Sequence, residues 1–312
     1  MPRQLRIEYP GAIYHLMNRG DRREPVFRDD QDHELFLTTL GEACQKTGWQ
    51  VHAFCLMNNH FHLVVETPRA NLVMGMRWFL STYTARFNRR HKLFGHLFSG
   101  RYKSLIVDGS GNGYLKTVCD YVHLNPVRAK LLRREQPLKA YRWSSWLECL
   151  KPPRKRHPWM RVDRLMGEWG IRQDSAAGRR LWEATFEQHR ELDQAREKGD
   201  WQRLRRGWCL GSKAFKTEML DLIGERQDQR DPGAEMMESE EQKAERLIHR
   251  RLRERGWTEY ELPQRRKTDK VKVDLAKVLR RETTMTWEWI AQRLAMGHWR
   301  TAANAVRAAS EK

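Results

Sequence analysis

No aspartate or glutamate occurs between Thr67 and Val107, although the 312-residue chain carries 40 of them elsewhere. That stretch instead holds Arg69, Arg77, Arg86, Arg89, Arg90, Lys92, Arg101 and Lys103, so its field is positive throughout. Over the whole chain 59 Lys and Arg stand against 40 Asp and Glu, a formal net charge of +19. Such a surplus favours a polyanion, and nucleic acid is the commonest polyanion a basic protein meets. Long apolar runs are missing as well. None reaches the roughly 18 residues a membrane helix needs, and no basic amphipathic helix dominates, so a membrane partner is not expected. The start, Met1 to Arg6, lacks the apolar core of a secretory leader, which makes the cytoplasm the expected location. Cysteine is scarce: five residues, odd in number, with no C-x-x-C pair, exclude a disulfide framework and a zinc knuckle. They are read as reduced and mostly core. There is no internal repeat and no low-complexity tract.

Composition shifts divide the chain into three expected units: 1–132, a helical extension at 133–230, and a last basic helical unit at 240–312. The proline- and charge-rich run Lys151-Pro152-Pro153-Arg154-Lys155-Arg156-His157-Pro158 follows the first unit, and Arg230-Asp231-Pro232-Gly233 marks a second break. Within the first unit Ala12 to Met17 reads as a strand and Asp32 to Thr47 as a helix ending near Gly48. Trp49 to Met57 and His60 to Glu66 read as a hairpin turning at Asn58-Asn59. Val73, Met76, Leu80, Tyr83 and Phe87 recur at helical spacing; Tyr102 to Val107 is a further strand and Gly113 to Leu124 a further helix. This order predicts an α+β layer, an antiparallel sheet carrying helices on one side.

Two residue pairs stand out for chemistry. His60 and His62 share one face of their strand while Phe61, Leu63 and Val65 take the other, so the imidazoles are expected to be displayed rather than buried. Tyr121 and Asn125 lie one helical turn apart, and Asn125 precedes Pro126 at the expected helix end. Each pair has a bland alternative. An HxH pair is often structural, a helical tyrosine often packs, and Asn125 also reads as a simple helix terminator.

Four blocks in order then carry a family likeness: Met57-Asn58-Asn59-His60-Phe61-His62-Leu63-Val64-Val65; Tyr83 to His91; Phe98-Ser99-Gly100-Arg101-Tyr102-Lys103-Ser104; and Tyr121-Val122-His123-Leu124-Asn125-Pro126-Val127-Arg128-Ala129. Together they resemble the single-tyrosine HUH transposases of bacterial insertion sequences, above all the REP-associated tyrosine transposases. The likeness covers residues 5 to about 150. It implies a ferredoxin-like or RRM-like HUH nuclease domain, with His60 and His62 as metal ligands, Asn125 as an amide ligand and Tyr121 as the nucleophile. It also implies single-stranded DNA with hairpin-forming repeats as the substrate.

The chemistry explains these residue types. A phenol has a pKa of about 10 and attacks poorly until the phosphate is made more electrophilic. Mg²⁺ or Mn²⁺ would act there as a Lewis acid, and imidazole ligands suit Mn²⁺ better while Mg²⁺ prefers oxygen. Attack by Tyr121 would leave a 5′-phosphotyrosine and a free 3′-OH, which makes the expected reaction a transesterification.

Arg86, Arg89, Arg90, Lys92, Arg101, Tyr102 and Lys103 are expected to contact the strand, cations tracking phosphates while some of the interleaved Phe87, Phe94, Phe98 and Tyr102 accept bases. About half of those aromatics are expected to be core. Near the C-terminus the Ala295-Met296-Gly297-His298 turn between two helical patterns has helix-turn-helix spacing, with Arg300, Thr301 and Asn304 available for DNA. A small helical bundle gives the same pattern. Two further readings stand beside the strand transferase: a non-catalytic regulator that binds repeat DNA, and a replication-initiator nuclease of HUH type, for which no helicase-like segment is present. The oligomeric state is not legible.

Overall fold

Strand alternation and helical capping set the elements that hold the site. A computed structural model describes residues 6–194, 204, 207–228 and 232–310. Met1 to Leu5 and Arg230-Asp231, on which two expectations rest, lie outside the described residues. In chain order the elements are β1 (Ala12–Arg19), α1 (Asp30–Thr47), β2 (Gln50–Met57), β3 (His60–Thr67), α2 (Leu72–His91), β4 (Lys103–Val107), α3 (Tyr114–His123) and α4 (Asn125–Arg128). Then come α5 (Trp146–Leu150), α6 (Asp163–Glu168), α7 (Ala176–Gln194), β5 (Cys209–Leu210), α8 (Lys213–Asp228) and α9 (Pro232–Glu254). The last four helices are α10 (Glu261–Gln264), α11 (Lys270–Glu282), α12 (Trp287–Arg293) and α13 (Trp299–Ser310).

The sheet runs β2-β3-β1-β4-β5. Its first three pairings are antiparallel, as the hairpin signal predicts, but the two-residue β5 joins β4 in parallel, so the sheet is mixed. A two-residue strand carries no alternation to read. Helices also cover both faces rather than one. Leu16, Phe54, Leu56, Phe61, Leu63 and Val65 pack with Phe36 and Leu40 of α1 and Phe79 and Tyr83 of α2. Ile13, Cys55, Met57, Val64 and Leu105 pack on the other face with Leu115, Val118 and Val122 of α3, and Trp182 and Phe186 of α7 join that core. The second layer covers a face of mixed character, where Cys55, Met57 and Val64 are apolar but His62 and Glu66 of β3 are polar and buried beside them.

Local chemistry fixes the ends. The Asp29 carboxylate accepts from the Asp32 N–H and caps α1, which stops at Gly48 in the left-handed region. α2 sits close to the sheet because Gly75 has no side chain: a Cβ there would fall 2.1 Å from the Trp49 indole. Trp49 in turn donates Nε1–H to Asn71 Oδ1 at 2.9 Å.

The C-terminal helices share a third core of Leu247, Ile248, Val273, Leu275, Leu279, Ile290, Leu294 and Ala302. The Thr286 hydroxyl caps α12 by accepting from the Trp289 N–H. This bundle rests on α1. The Lys46 ammonium donates to the carbonyls of Arg280, Arg281 and Thr283 at the end of α11, and Lys243 Nζ donates to the Lys46 carbonyl at 2.6 Å. A cation at a helix C-terminus meets the negative end of the macrodipole, so the contact is electrostatically matched. Among the described residues no helix is long and apolar enough to cross a membrane.

Candidate active site

The antiparallel register brings three histidines onto one face of the sheet. Arg19 faces His60 and Met17 faces His62, so His15, two residues before Met17, is the diagonal neighbour of His62. The pair is not displayed as expected, because α3 lies over this face. His62 is buried and His60 half-buried.

Each motif imidazole is held through Nδ1. His60 Nδ1–H donates to Asn59 Oδ1 at 2.7 Å, and the Asn59 amide is itself oriented by donating Nδ2–H to the Arg23 carbonyl at 3.0 Å. The proton of a neutral His60 ring is then on Nδ1, and Nε2 keeps its lone pair. Burial, helped by the Arg19 charge, lowers His60 to about 4, so the ring is neutral near pH 7. His62 Nδ1 shares a hydrogen bond with His15 Nε2 at 3.0 Å, and the two rings stack 5.2 Å apart at 18°. His15 is fully enclosed, and burial lowers it to about 4.

Tyr121 comes to the same place from α3. Its ring lies edge-on to His62 at 5.7 Å between centroids and to His15 at 5.6 Å, and only 2 % of the residue is exposed. Arg128 of α4 clasps it from behind: the guanidinium carbon sits 5.0 Å from the ring centroid, and Nη1 donates to the Tyr121 carbonyl at 3.0 Å. Asn125 opens α4 after a break at Leu124, so it starts a turn rather than terminating one. It is buried, and its Nδ2 has no hydrogen-bond partner. A buried amide with unused capacity is costly unless something else completes it. Two imidazoles held through Nδ1 fit a divalent cation by donor chemistry, and Asn125 would add its Oδ1, because the orphaned Nδ2 only donates and cannot ligate an ion.

The residues expected on DNA separate into two sets. Arg86 forks onto Glu42 at 2.7 and 3.0 Å, and Arg90 reaches Asp29 at 2.6 Å and Asp32 at 2.7 Å, so both are engaged with α1 and its cap. Arg89, Lys92, Arg101 and Lys103 are exposed. Tyr102 is buried with the Arg6 guanidinium 3.5 Å above its ring, and Phe87 and Phe98 are core; Phe94 alone of the four aromatics is open to water. More of them are core than the expected half. On α13 Arg300 and Asn304 are exposed and Thr301 is half-buried.

Glu245, His249 and Glu259 form another group whose ligand atoms lie within 4.8 Å of one another. Both carboxylates already accept from Arg293, at 2.6 and 2.7 Å, which offsets one of their two negative charges without an ion. His15, Asn59 and Arg128 are the residues at the tyrosine site that sequence reasoning passed over. The alternation of β1, which puts His15 on the face of Met17 and Arg19, was the available signal.

Residues 9–125 match the family model described as "Transposase IS200 like". No curated protein sequence matches the chain. Among solved structures, one described as "Structure of the REP associates tyrosine transposase bound to a REP hairpin" aligns over 46 % of this chain and 82 % of that one, at 12 % identity and a TM-score of 0.39.

Proposed function

We propose, from the match of residues 9–125 to the IS200-like transposase family model, that the protein cleaves and rejoins single-stranded DNA through a covalent bond to Tyr121. The observation that carries this reading is the approach of the Tyr121 and His62 rings, 5.7 Å between centroids, which sets the phenol beside the paired imidazoles. Tyr121 Oη forms a bond to phosphorus as the bond to the 3′ oxygen breaks. The phenolic proton leaves to water and the 3′ oxygen takes one up. The product is a 5′-phosphotyrosine, and a later 3′-OH reverses the step and joins strands without another energy source.

His60, His62 and Asn125 would hold Mg²⁺ or Mn²⁺, which supplies Lewis acidity toward a phosphate oxygen. His15 keeps the His62 ring in one orientation, and Asn59 does the same for His60. Arg128 steadies Tyr121 through its ring and carbonyl. Arg89, Lys92, Arg101 and Lys103 supply cations for the strand, and Arg300, Thr301 and Asn304 on α13 supply a second DNA contact of helix-turn-helix type. The substrate is read as DNA with hairpin-forming repeats. The covered position of Tyr121 favours a second reading, a repeat-binding regulator without chemistry.

One assay separates the two. Incubation with a hairpin-bearing single-stranded oligonucleotide and Mn²⁺ or Mg²⁺ is expected to give a band that survives denaturing electrophoresis, with the nucleotide mapping to the peptide that contains Tyr121. DNA binding without any such band would leave the regulator.

A supporting role for His15 has its own readout. Outer ligand partners are typically worth about 10–100-fold in metal affinity. His15→Phe is therefore expected to weaken Mn²⁺ binding by that order in calorimetric titration, with His15→Gln recovering part of it. Equal Mn²⁺ affinity in all three proteins would remove His15 from the site.

A further inference from the structure

We propose that Phe94 is a base-stacking finger, taking an unpaired nucleobase of the strand that runs past His60; this deepens the DNA reading above and rests on it. Phe94 is 98 % exposed, an extreme value for a phenylalanine in a chain that buries Phe87, Phe98 and Tyr102 around it. An isolated exposed leucine needs no explanation, but a fully solvated aromatic ring in the centre of an acid-free segment has a matching ligand chemistry. Every base offers a π-face, and the adjoining phosphates need cations.

The loop is anchored beside the histidine site. After α2 ends at Lys92 in a left-handed conformation, the chain returns to the sheet where Phe98 bridges Gly20. The Asp21 N–H donates to the Leu97 carbonyl and the Ser99 N–H donates to the Arg19 carbonyl, at 2.9 and 2.8 Å. Arg19 is the register partner of His60. Phe98 is the fourth residue after Phe94, a reach of at most about 14 Å. A strand with its phosphate at His60 has Arg19 as the cation across from that histidine, and the Phe94 loop is bonded to the backbone of that same Arg19 turn.

The turn tied to this loop adds charge. Arg22 and Arg23 are exposed and both hold positive φ, 50° and 64°, an unfavourable conformation for arginine that presents two side chains at one corner. With Lys92 and Arg101 they outnumber Asp21 and Glu24, the acids of the same turn. Cations on both sides of a solvated ring suit a single strand with splayed bases. A duplex hides its base faces and gives the ring nothing to stack on.

The test compares wild type, Phe94→Ala and Phe94→Trp for binding to a single-stranded oligonucleotide carrying 5-iodouracil beside the hairpin, by fluorescence anisotropy across a salt series without metal. Phe94→Ala is expected to lose about tenfold in affinity, Phe94→Trp to keep it, and the slope of log affinity against log salt to stay the same in all three, since no cation is removed. Ultraviolet crosslinking is expected to label the tryptic peptide 93–101 in wild type and not in Phe94→Ala. Unchanged affinity in Phe94→Ala, or a changed salt slope, would overturn the proposal. Because these readings need neither metal nor Tyr121, a missing covalent adduct leaves them intact, and their failure leaves the adduct assay intact.

Discussion

Tyr121→Phe is expected to give no covalent protein–DNA adduct while binding the same oligonucleotide as the wild type does. The substitution removes one oxygen and leaves the ring, which keeps its edge contacts with His15 and His62 and its place under the Arg128 guanidinium. The Tyr121 carbonyl still accepts from Arg128, so the junction of α3 and α4 is held as before. Loss of a nucleophile that acts as a unit with its neighbours costs at least about a thousandfold in rate. Cleavage and rejoining should fall together, because both pass through the same phosphotyrosine. An adduct of undiminished yield would place the nucleophile on another residue. A melting temperature lowered by many degrees would show that the hydroxyl serves packing.

Glu66→Gln is expected to cost about 2–4 kcal/mol of stability at pH 7, near the lower part of the range for breaking a buried ion pair because its arginine partners keep some water. The Glu66 carboxylate, at the end of β3, accepts from His52 Nε2 at 2.9 Å, Arg161 at 3.0 Å and Arg164 at 2.8 Å. Burial works to raise this carboxyl, but the hydrogen bond from His52 and the charges of His52, Arg161 and Arg164 outweigh it and hold the group at about 2. The folded value lies below the unfolded one. Its stabilisation is therefore complete above about 4.5 and disappears as the pH falls through about 2. Urea unfolding of both proteins at pH 7 and again near pH 2 should show a gap that closes in acid. A gap of the same size at both values would mean that the loss comes from packing.

Much of the layer that holds the candidate site was legible because its signals are local. The Phe61, Leu63 and Val65 alternation predicted which face of β3 meets α1 and α2, and the Gly48 stop and Asn58-Asn59 turn fell where expected. What escaped depends on partners distant in sequence. Arg86 and Arg90 read as free cations until folding brings Glu42, Asp29 and Asp32 of the first helix and its cap against them. Burial of His62 follows from α3 closing a face that alternation alone leaves open. His15 lies 47 residues before His62 and belongs to no spacing motif, so only strand register pairs them. The two-residue β5 has too few positions to show any period.

The seat of the C-terminal bundle on α1 has a consequence for substrate length. Lys46 clamps the carbonyl end of α11 to a helix on the face of the sheet opposite the histidines. Arg300 and Asn304 are thereby set at a constant offset from Tyr121. On the proposed reading, a nucleic acid touching both would have to pass around the rim of the sheet, and an oligonucleotide shorter than that path would reach one of the two but never both at once.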